Sequence, residues 1–259
     1  MSDLLDKLPI LGRKRPEGTP MGRFVVMGLP RSGTTYLMTL LNAHRDVSCT
    51  GEQYNPHGVI GVRSNDHSAE AVQTRDANPV AHMEKVFAKA DARGVLQGGF
   101  KFMLGHNIAV LKALAEDPDL RIIYVWRENR LAQVASLSKA VESKNWAQTR
   151  VDKRVSQKID ARPRQISQRW HEYATTDFLT SEWLKGLSQP VLTLEYRDLF
   201  GPDTPATLCD FLGLEPDAKM VSPLVKQGAN RVADRFKTPG PIVHYFNQIG
   251  YAHWLEEEL

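Results

Sequence analysis

The eight residues from Gly28 to Thr35, GLPRSGTT, are the segment of this chain whose residue types and spacing most clearly do chemistry. Two glycines in a G-x-x-x-x-G frame, placed between an apolar run and a helix-forming stretch, are the frame of a P-loop. Its backbone N–H groups and the positive end of the following helix make a cradle for a diphosphate-like anion. A nucleoside triphosphatase places Lys after the second glycine to reach the terminal phosphates. This chain has Thr34 there, and carries its cation inside the loop as Arg31. A guanidinium at that point can bridge an anhydride and stabilise the charge that develops on a leaving phosphate.

A second cation lies where a metal-dependent phosphotransferase needs an acid. The apolar run Ile122 to Trp126 ends on Arg127, not on a Mg²⁺-holding carboxylate. Backbone amides and arginines without a metal suit a phosphosulfate better than a triphosphate, because a sulfuryl group carries less charge to neutralise. Two other readings stay open at this point: a P-loop kinase for a small molecule, which would demand Mg²⁺ and a carboxylate near the γ-phosphate, and a non-catalytic nucleotide-binding protein.

Transfer to a hydroxyl requires a proton acceptor, and Glu52 in TGEQYN stands at the expected tip of the second strand. His44, His57 and His106 are rivals, with His106 first among them. No His/Cys/Asp/Glu grouping has the spacing of a zinc site, so no metal is expected, and there is no G-x-S-x-G elbow of a hydrolase. Trp146 is a candidate platform for the acceptor, whereas Trp170 is in phase with Ile166 and Tyr173 and is expected in the core.

These groups can act together only if the elements between them bring them to one edge. Phe24–Met27 reads as a strand buried on both faces, Leu37, Leu40, Leu41 and His44 as one helical face, and Val47–Thr50 as a second strand: a βαβ unit within about thirty residues. Asn78-Pro79 opens a helix with Val80, Met83, Phe87 and Ala90 as its buried stripe. Next come a strand over Val95–Leu104 interrupted by Gly98-Gly99, a helix over Asn107–Asp117, a strand over Arg121–Trp126 and a helix over Asn129–Ser143. A helix over Gln165–Leu187, a strand over Val191–Leu194 and a helix over Pro205–Leu212 complete the alternation. Glu52–Ala77 and Trp146–Gln165 read as long stretches without period, within which the loops Gln53–Ala77 and Ala147–Arg164 are expected to select the acceptor. The pattern predicts an α/β fold, a P-loop-containing three-layer α/β/α architecture with a central, mainly parallel sheet and its ligands at the strands' C-terminal ends.

Residues 1–20 are rich in Lys, Arg, Pro and Gly without apolar period and are expected to be an N-terminal arm, with 21–259 forming one domain. A net charge of +3 is too small for a dedicated nucleic-acid binder but suits a polyanionic small molecule. Two cysteines, Cys49 and Cys209, make neither a disulfide framework nor a metal cluster. No apolar run is long enough to span a bilayer and no signal-peptide core is present, so a cytoplasmic enzyme without a membrane span is expected.

Taken together, GLPRSGTTYL, TGEQYN and RIIYVWRENRLAQVASLSKAVESKNW resemble the bacterial sulfotransferases that include the trehalose and nodulation-factor enzymes, from about Phe24 to Leu214, with a weaker echo to about Lys237. The resemblance implies that the donor is 3′-phosphoadenosine 5′-phosphosulfate. Its 5′-phosphosulfate would be held by Pro30–Thr35, with Arg31, Ser32, Gly33, Thr34 and Thr35 as contacts, and its 3′-phosphate by Arg127 and Ser136. Ser136 lies nine residues after Arg127, one more than in the animal cytosolic enzymes, so under the shorter spacing the position would fall on Ala135. The resemblance further implies Glu52 as catalytic base, Lys101 near donor or acceptor, and Lys226 with Gln227 as a late basic element over the nucleotide. It also implies a carbohydrate acceptor and a homodimer.

Overall fold

The computed structural model describes residues 15–61, 64–147, 158–226 and 228–259. Among these, strands β1 (Gly22–Gly28), β2 (Val47–Glu52), β5 (Gln97–Met103), β6 (Leu120–Trp126) and β7 (Val191–Glu195) form a sheet in the order β2-β5-β1-β6-β7. Every pairing in it is parallel. The short strands β3 (Val59–Ile60) and β4 (Asn65–Asp66) pair antiparallel beside it.

Each central strand is covered on both sides, which is why its sequence is continuously apolar. Phe24 and Val26 of β1 and Ile123 and Val125 of β6 face α1 (Thr34–Asn42) and α7 (Thr204–Leu212), packing with Leu37, Leu41, Leu208 and Leu212. Val25 and Met27, with Ile122 and Tyr124, face α3 (Pro79–Asp91) and α4 (Ile108–Glu116) through Met83, Phe87, Val110 and Leu114. A third cluster joins α5 (Arg130–Ser143), α6 (Pro163–Lys185) and α8 (Pro239–Gln248) around Leu131, Ile166, Trp170, Phe246 and Trp254. The arrangement is the three-layer α/β/α fold with a parallel sheet.

Several local expectations change. Val80 is 41% exposed, and Val86 takes its place in the buried stripe of α3. Gly98 and Gly99 do not interrupt β5: they stay in register with Arg23 and Phe24, and a Cβ on Gly99 would lie 2.6 Å from the Phe24 carbonyl oxygen. The 52–77 segment is not a plain loop, since it holds β3, β4 and α2 (Ala69–Ala77). That helix buries only Arg75 and so has no apolar period to read; the Ser68 hydroxyl caps it by accepting from the Ala71 N–H. Of the expected arm, residues 1–14 lie outside the described residues, while Arg15 bonds the Val95 carbonyl and pairs with Asp91 at 2.6 Å. Half of the second long loop, 148–157, also lies outside them. Among the described residues no helix is long and apolar enough to cross a membrane.

Candidate functional site

Strand order sets the place of the site. From β1 the chain moves outward on one side to β2, returns through β5, and crosses to β6 and β7 on the other. A crevice therefore opens beyond the C-terminal ends of the strands at β1, where the order reverses. All five strands contribute there, and a cavity of about 710 Å³ is lined by Arg31, Glu52, Lys101, Arg127 and Tyr196 among others.

The loop after β1 is shaped by its backbone. Gly33 has φ 106°, and a Cβ there would come within 2.5 Å of Leu199 Cδ1, so glycine is required. Arg31 has φ 65°, a left-handed conformation that costs a non-glycine residue about 1 kcal/mol or more. Two side chains hold it there: Arg127 Nη1 donates to the Arg31 carbonyl at 2.8 Å, and Gln133 Nε2 donates to the Pro30 carbonyl at 2.9 Å. No side chain caps the start of α1, so the N–H groups of Thr34 and Thr35, which at a helix N-terminus lack an intrahelical acceptor, can donate to an anion.

Arg31 and Arg127 meet on one wall of the same cavity, the arrangement on which the sequence-based reading depended. Arg31 Nε donates to Ser136 Oγ at 2.9 Å and its Nη1 to the Trp146 carbonyl at 2.6 Å. Burial first, and Arg127 second, lower the Arg31 guanidinium to about 10. Ser136 lines the cavity while Ala135 is buried in the third cluster, so the nine-residue spacing is the one that turns a hydroxyl toward the ligand side. Arg127 lies over the Tyr196 ring, 4.0 Å from its centroid. Its ion pair is with neither of its sequence neighbours but with Glu258, Nη2 to Oε1 at 2.5 Å.

Glu52 lines the same cavity and meets Lys101 because of an irregularity in β2. The register runs Thr50 opposite Phe100 and then Glu52 opposite Lys101, with a bulge at Gly51. In a regular strand Glu52 and Thr50 would share one face and Lys101 would sit opposite Gly51; the extra residue turns the carboxylate to the lysine's side. Lys101 Nζ is 2.7 Å from Glu52 Oε1 and donates to Thr35 Oγ1 at 2.7 Å, while Asn55 Nδ2 donates to Glu52 Oε2 at 2.6 Å. Burial alone would raise the Glu52 carboxyl, but the charge and hydrogen bond of Lys101, with the bond from Asn55, bring it down to about 2. Arg75 secures the next turn by donating to the carbonyls of Gln53, Asn55 and Gly58.

The expected residues do not all converge. Ser32 is fully buried, its hydroxyl has no hydrogen-bond partner, and its N–H donates to the Leu29 carbonyl, so it is turned into the fold and away from the cavity. Gly33, Thr34, Thr35, Trp146 and Lys226 do line it, and Gln227 lies outside the described residues. His44 is structural, its ring held between the Glu215 carbonyl and the Asp46 N–H. His57 and His106 line the cavity. Burial lowers the His106 imidazole, with Glu52 acting against that shift. Trp170 is in the core, stacked on His171. Two residues escaped sequence reasoning: Arg235, which lines the cavity, and Glu258, which pairs with it at 2.8 Å. Arg235 stands in the basic run VKQGANRVADR, but nothing in the polar run EEE distinguishes Glu258 from its neighbours.

The chain aligns over nearly its full length with the sulfotransferase domain of the Synechococcus PCC 7002 olefin synthase, at 16% identity and TM-score 0.49, covering 96% of this chain and 99% of that one. A sulfotransferase from Alicyclobacillus acidocaldarius aligns at 16% identity and TM-score 0.49, covering 93% and 98%. The mouse sulfotransferase SULT7A1 complexed with PAP aligns at 13% identity and TM-score 0.42, covering 84% and 68%. No curated protein matches the chain in sequence. The model of the sulfotransferase family matches residues 23–218, which takes in the loop after β1, Glu52, Lys101, Arg127 and Ser136, and by that match the chain belongs to the sulfotransferase family.

Proposed function

We propose that this sulfotransferase moves the sulfuryl group of 3′-phosphoadenosine 5′-phosphosulfate to a hydroxyl of a carbohydrate or glycolipid, with Glu52 as general base. The observation that supports the proposal is that Arg31, Arg127, Glu52 and Lys101 all line one cavity, with Lys101 paired to Glu52 and bonded to Thr35 of the loop that carries Arg31. The Thr34 and Thr35 N–H groups and Arg31 would hold the 5′-phosphosulfate; Arg127, Ser136 and Lys226 would hold the 3′-phosphate. Asn55, His57, Asn65, His67 and His106 line the same cavity as Glu52, a set of donors and acceptors that suits sugar hydroxyls. A cytoplasmic location belongs to the same reading.

In the transfer, the acceptor oxygen forms a bond to sulfur as the bond from sulfur to the phosphate oxygen breaks. The hydroxyl proton passes to Glu52, and adenosine 3′,5′-bisphosphate leaves. Arg31 meets the charge that grows on the departing phosphate. Lys101 links the two ends, since it touches both Glu52 and Thr35; drawn toward the sulfuryl oxygens, it would release Glu52 from the contact that makes it a weak base.

One observation favours a second base. The His106 imidazole faces the same cavity, burial keeps it neutral, and its Nδ1 is buried without a hydrogen-bond partner. Radiolabelled donor offered with a panel of disaccharides and small phenols, with chelator present, tests the whole reading. Label is expected on a sugar hydroxyl, reduced by about two orders of magnitude or more in Glu52→Gln. Loss of transfer in His106→Asn with Glu52→Gln still active would move the base to His106. Calorimetry that finds no binding of adenosine 3′,5′-bisphosphate at millimolar concentration would refute the donor assignment.

A further inference from the structure

Glu258 is buried, with its side chain 1% exposed, and it does not line the cavity, yet it touches three cations that do. Its Oε1 accepts from Arg127 Nε at 2.7 Å and from Arg127 Nη2 at 2.5 Å; its Oε2 accepts from Arg235 Nη2 at 2.8 Å and lies 3.5 Å from Lys226 Nζ. The carboxylate therefore stands behind Arg127, Arg235 and Lys226, on the side away from the ligand space.

The segment that carries it is fixed to the backbone beside it. The Val232 N–H donates to the Glu256 carbonyl at 3.1 Å, the Glu258 N–H to the Asn230 carbonyl at 3.3 Å, and the Leu259 N–H to Asn230 Oδ1 at 3.0 Å. Asn230 Oδ1 also accepts from Lys226 at 2.5 Å, so one short stretch holds the carboxylate and one of its cations together. Burial would raise the Glu258 carboxyl, but Arg127 and Arg235 outweigh that effect and lower it, so it is ionised at neutral pH.

Among the described residues Glu258 is shared by three cations, which makes this side of the cavity positive, the complement of a phosphate monoester. Without the carboxylate, Arg127 and Arg235 would repel each other in a poorly solvated site and lose the bonds that orient their guanidinium planes. We propose that Glu258 is a positioning residue for nucleotide selection: it holds Arg127, Arg235 and Lys226 in the geometry that distinguishes a 3′-phosphorylated nucleotide from one lacking that phosphate. This rests on the donor assignment above, and extends it to a residue outside the 23–218 family match.

The test is the ratio of affinities for adenosine 3′,5′-bisphosphate and adenosine 5′-monophosphate, measured by calorimetry on the full chain and on Glu258→Gln, with thermal unfolding of both. In the unaltered protein the bisphosphate is expected to bind at least tenfold more tightly; equal affinities would overturn the donor assignment itself. In Glu258→Gln that ratio is expected to fall by about tenfold, the size of a charge-assisted hydrogen-bond loss, with monophosphate affinity within about twofold of its original value. A strong preference in the unaltered protein that persists in the variant would overturn the role of Glu258 alone. So would equal weakening of both ligands, which marks a structural defect, or tighter bisphosphate binding, which marks a competitor for the phosphate. Should Glu258→Gln not fold, Glu258→Asp, with a shorter reach to both arginines, is read by the same ratio: a fall of about threefold or more supports the proposal, and an unchanged ratio overturns it.

Discussion

Replacing Glu52 by Gln should change how the stability of this protein responds to acid, and the size of the change follows from the ion pair with Lys101. Against the raising effect of burial, the charge and hydrogen bond of Lys101 hold the Glu52 carboxyl well below the usual carboxylate range, at about 2. At about 1.4 kcal/mol per pH unit that lowering amounts to roughly 3 kcal/mol, and less once the partial exposure of the side chain is allowed for. A carboxylate whose folded-state pKa is depressed contributes its stabilisation fully above its unfolded pKa and loses it as pH falls toward the folded value. The window is therefore from about pH 5 down to about pH 2. Denaturant unfolding of the two proteins, measured at intervals from about pH 6 to about pH 2, should show the unaltered chain losing about 2 to 3 kcal/mol more than Glu52→Gln across that window. The comparison uses the difference in slope, so a fixed cost of leaving Lys101 without its partner at neutral pH cancels. Parallel curves would refute the reasoning, because they would mean that Lys101 does not hold Glu52 in the charged form. The same pair bears on catalysis: a carboxylate at about 2 is a weak base, so chemistry at Glu52 needs Lys101 to be drawn elsewhere when the donor arrives.

Two further outcomes follow from the same geometry. Gly33→Ala forces a side chain into a backbone with φ 106° and within 2.5 Å of Leu199 Cδ1, so a loss of about 1 to 3 kcal/mol in thermal unfolding is expected, together with weaker bisphosphate binding. An unchanged melting temperature would show that the loop accommodates a Cβ. Lys226 is lowered to about 8 by burial first and then by Arg235 and Arg127, against the raising effect of Glu258. Bisphosphate affinity should accordingly fall as pH rises through about 8, and Lys226→Met should flatten that dependence; identical pH profiles for the two proteins would remove Lys226 from the phosphate site.

Much of the architecture was legible because it rests on local rules. Apolar runs such as Phe24–Met27 and Ile122–Val125 can be buried only between two layers, and Asn107 and Asn129 announce their helices by capping them, each accepting from an N–H three residues on. The helix Ala69–Ala77 was not legible for the opposite reason: its stability comes from the Ser68 cap and from Arg75 bonding the neighbouring turn, neither of which leaves a periodic trace. The helix Pro239–Gln248 has no counterpart among the expected elements although it buries Ile242 and Phe246, because Pro239, Gly240 and Pro241 in its first turn are poor helix formers.

The site divides along the same line. Composition and order along the chain were enough to single out GLPRSGTT, Arg127 and Glu52, since a glycine-framed turn after a strand and a charged residue at a strand's tip are local statements, whereas Ser136 came only from the family resemblance. Which of them share a cavity was decided only in three dimensions: a bulge at Gly51 turns Glu52 toward Lys101, the Ser32 hydroxyl is buried away from the cavity, and Arg127 is oriented by a carboxylate 131 residues away. Electrostatic partnership depends on distance through space, and a one-dimensional pattern carries no measure of it until the sheet has set its register.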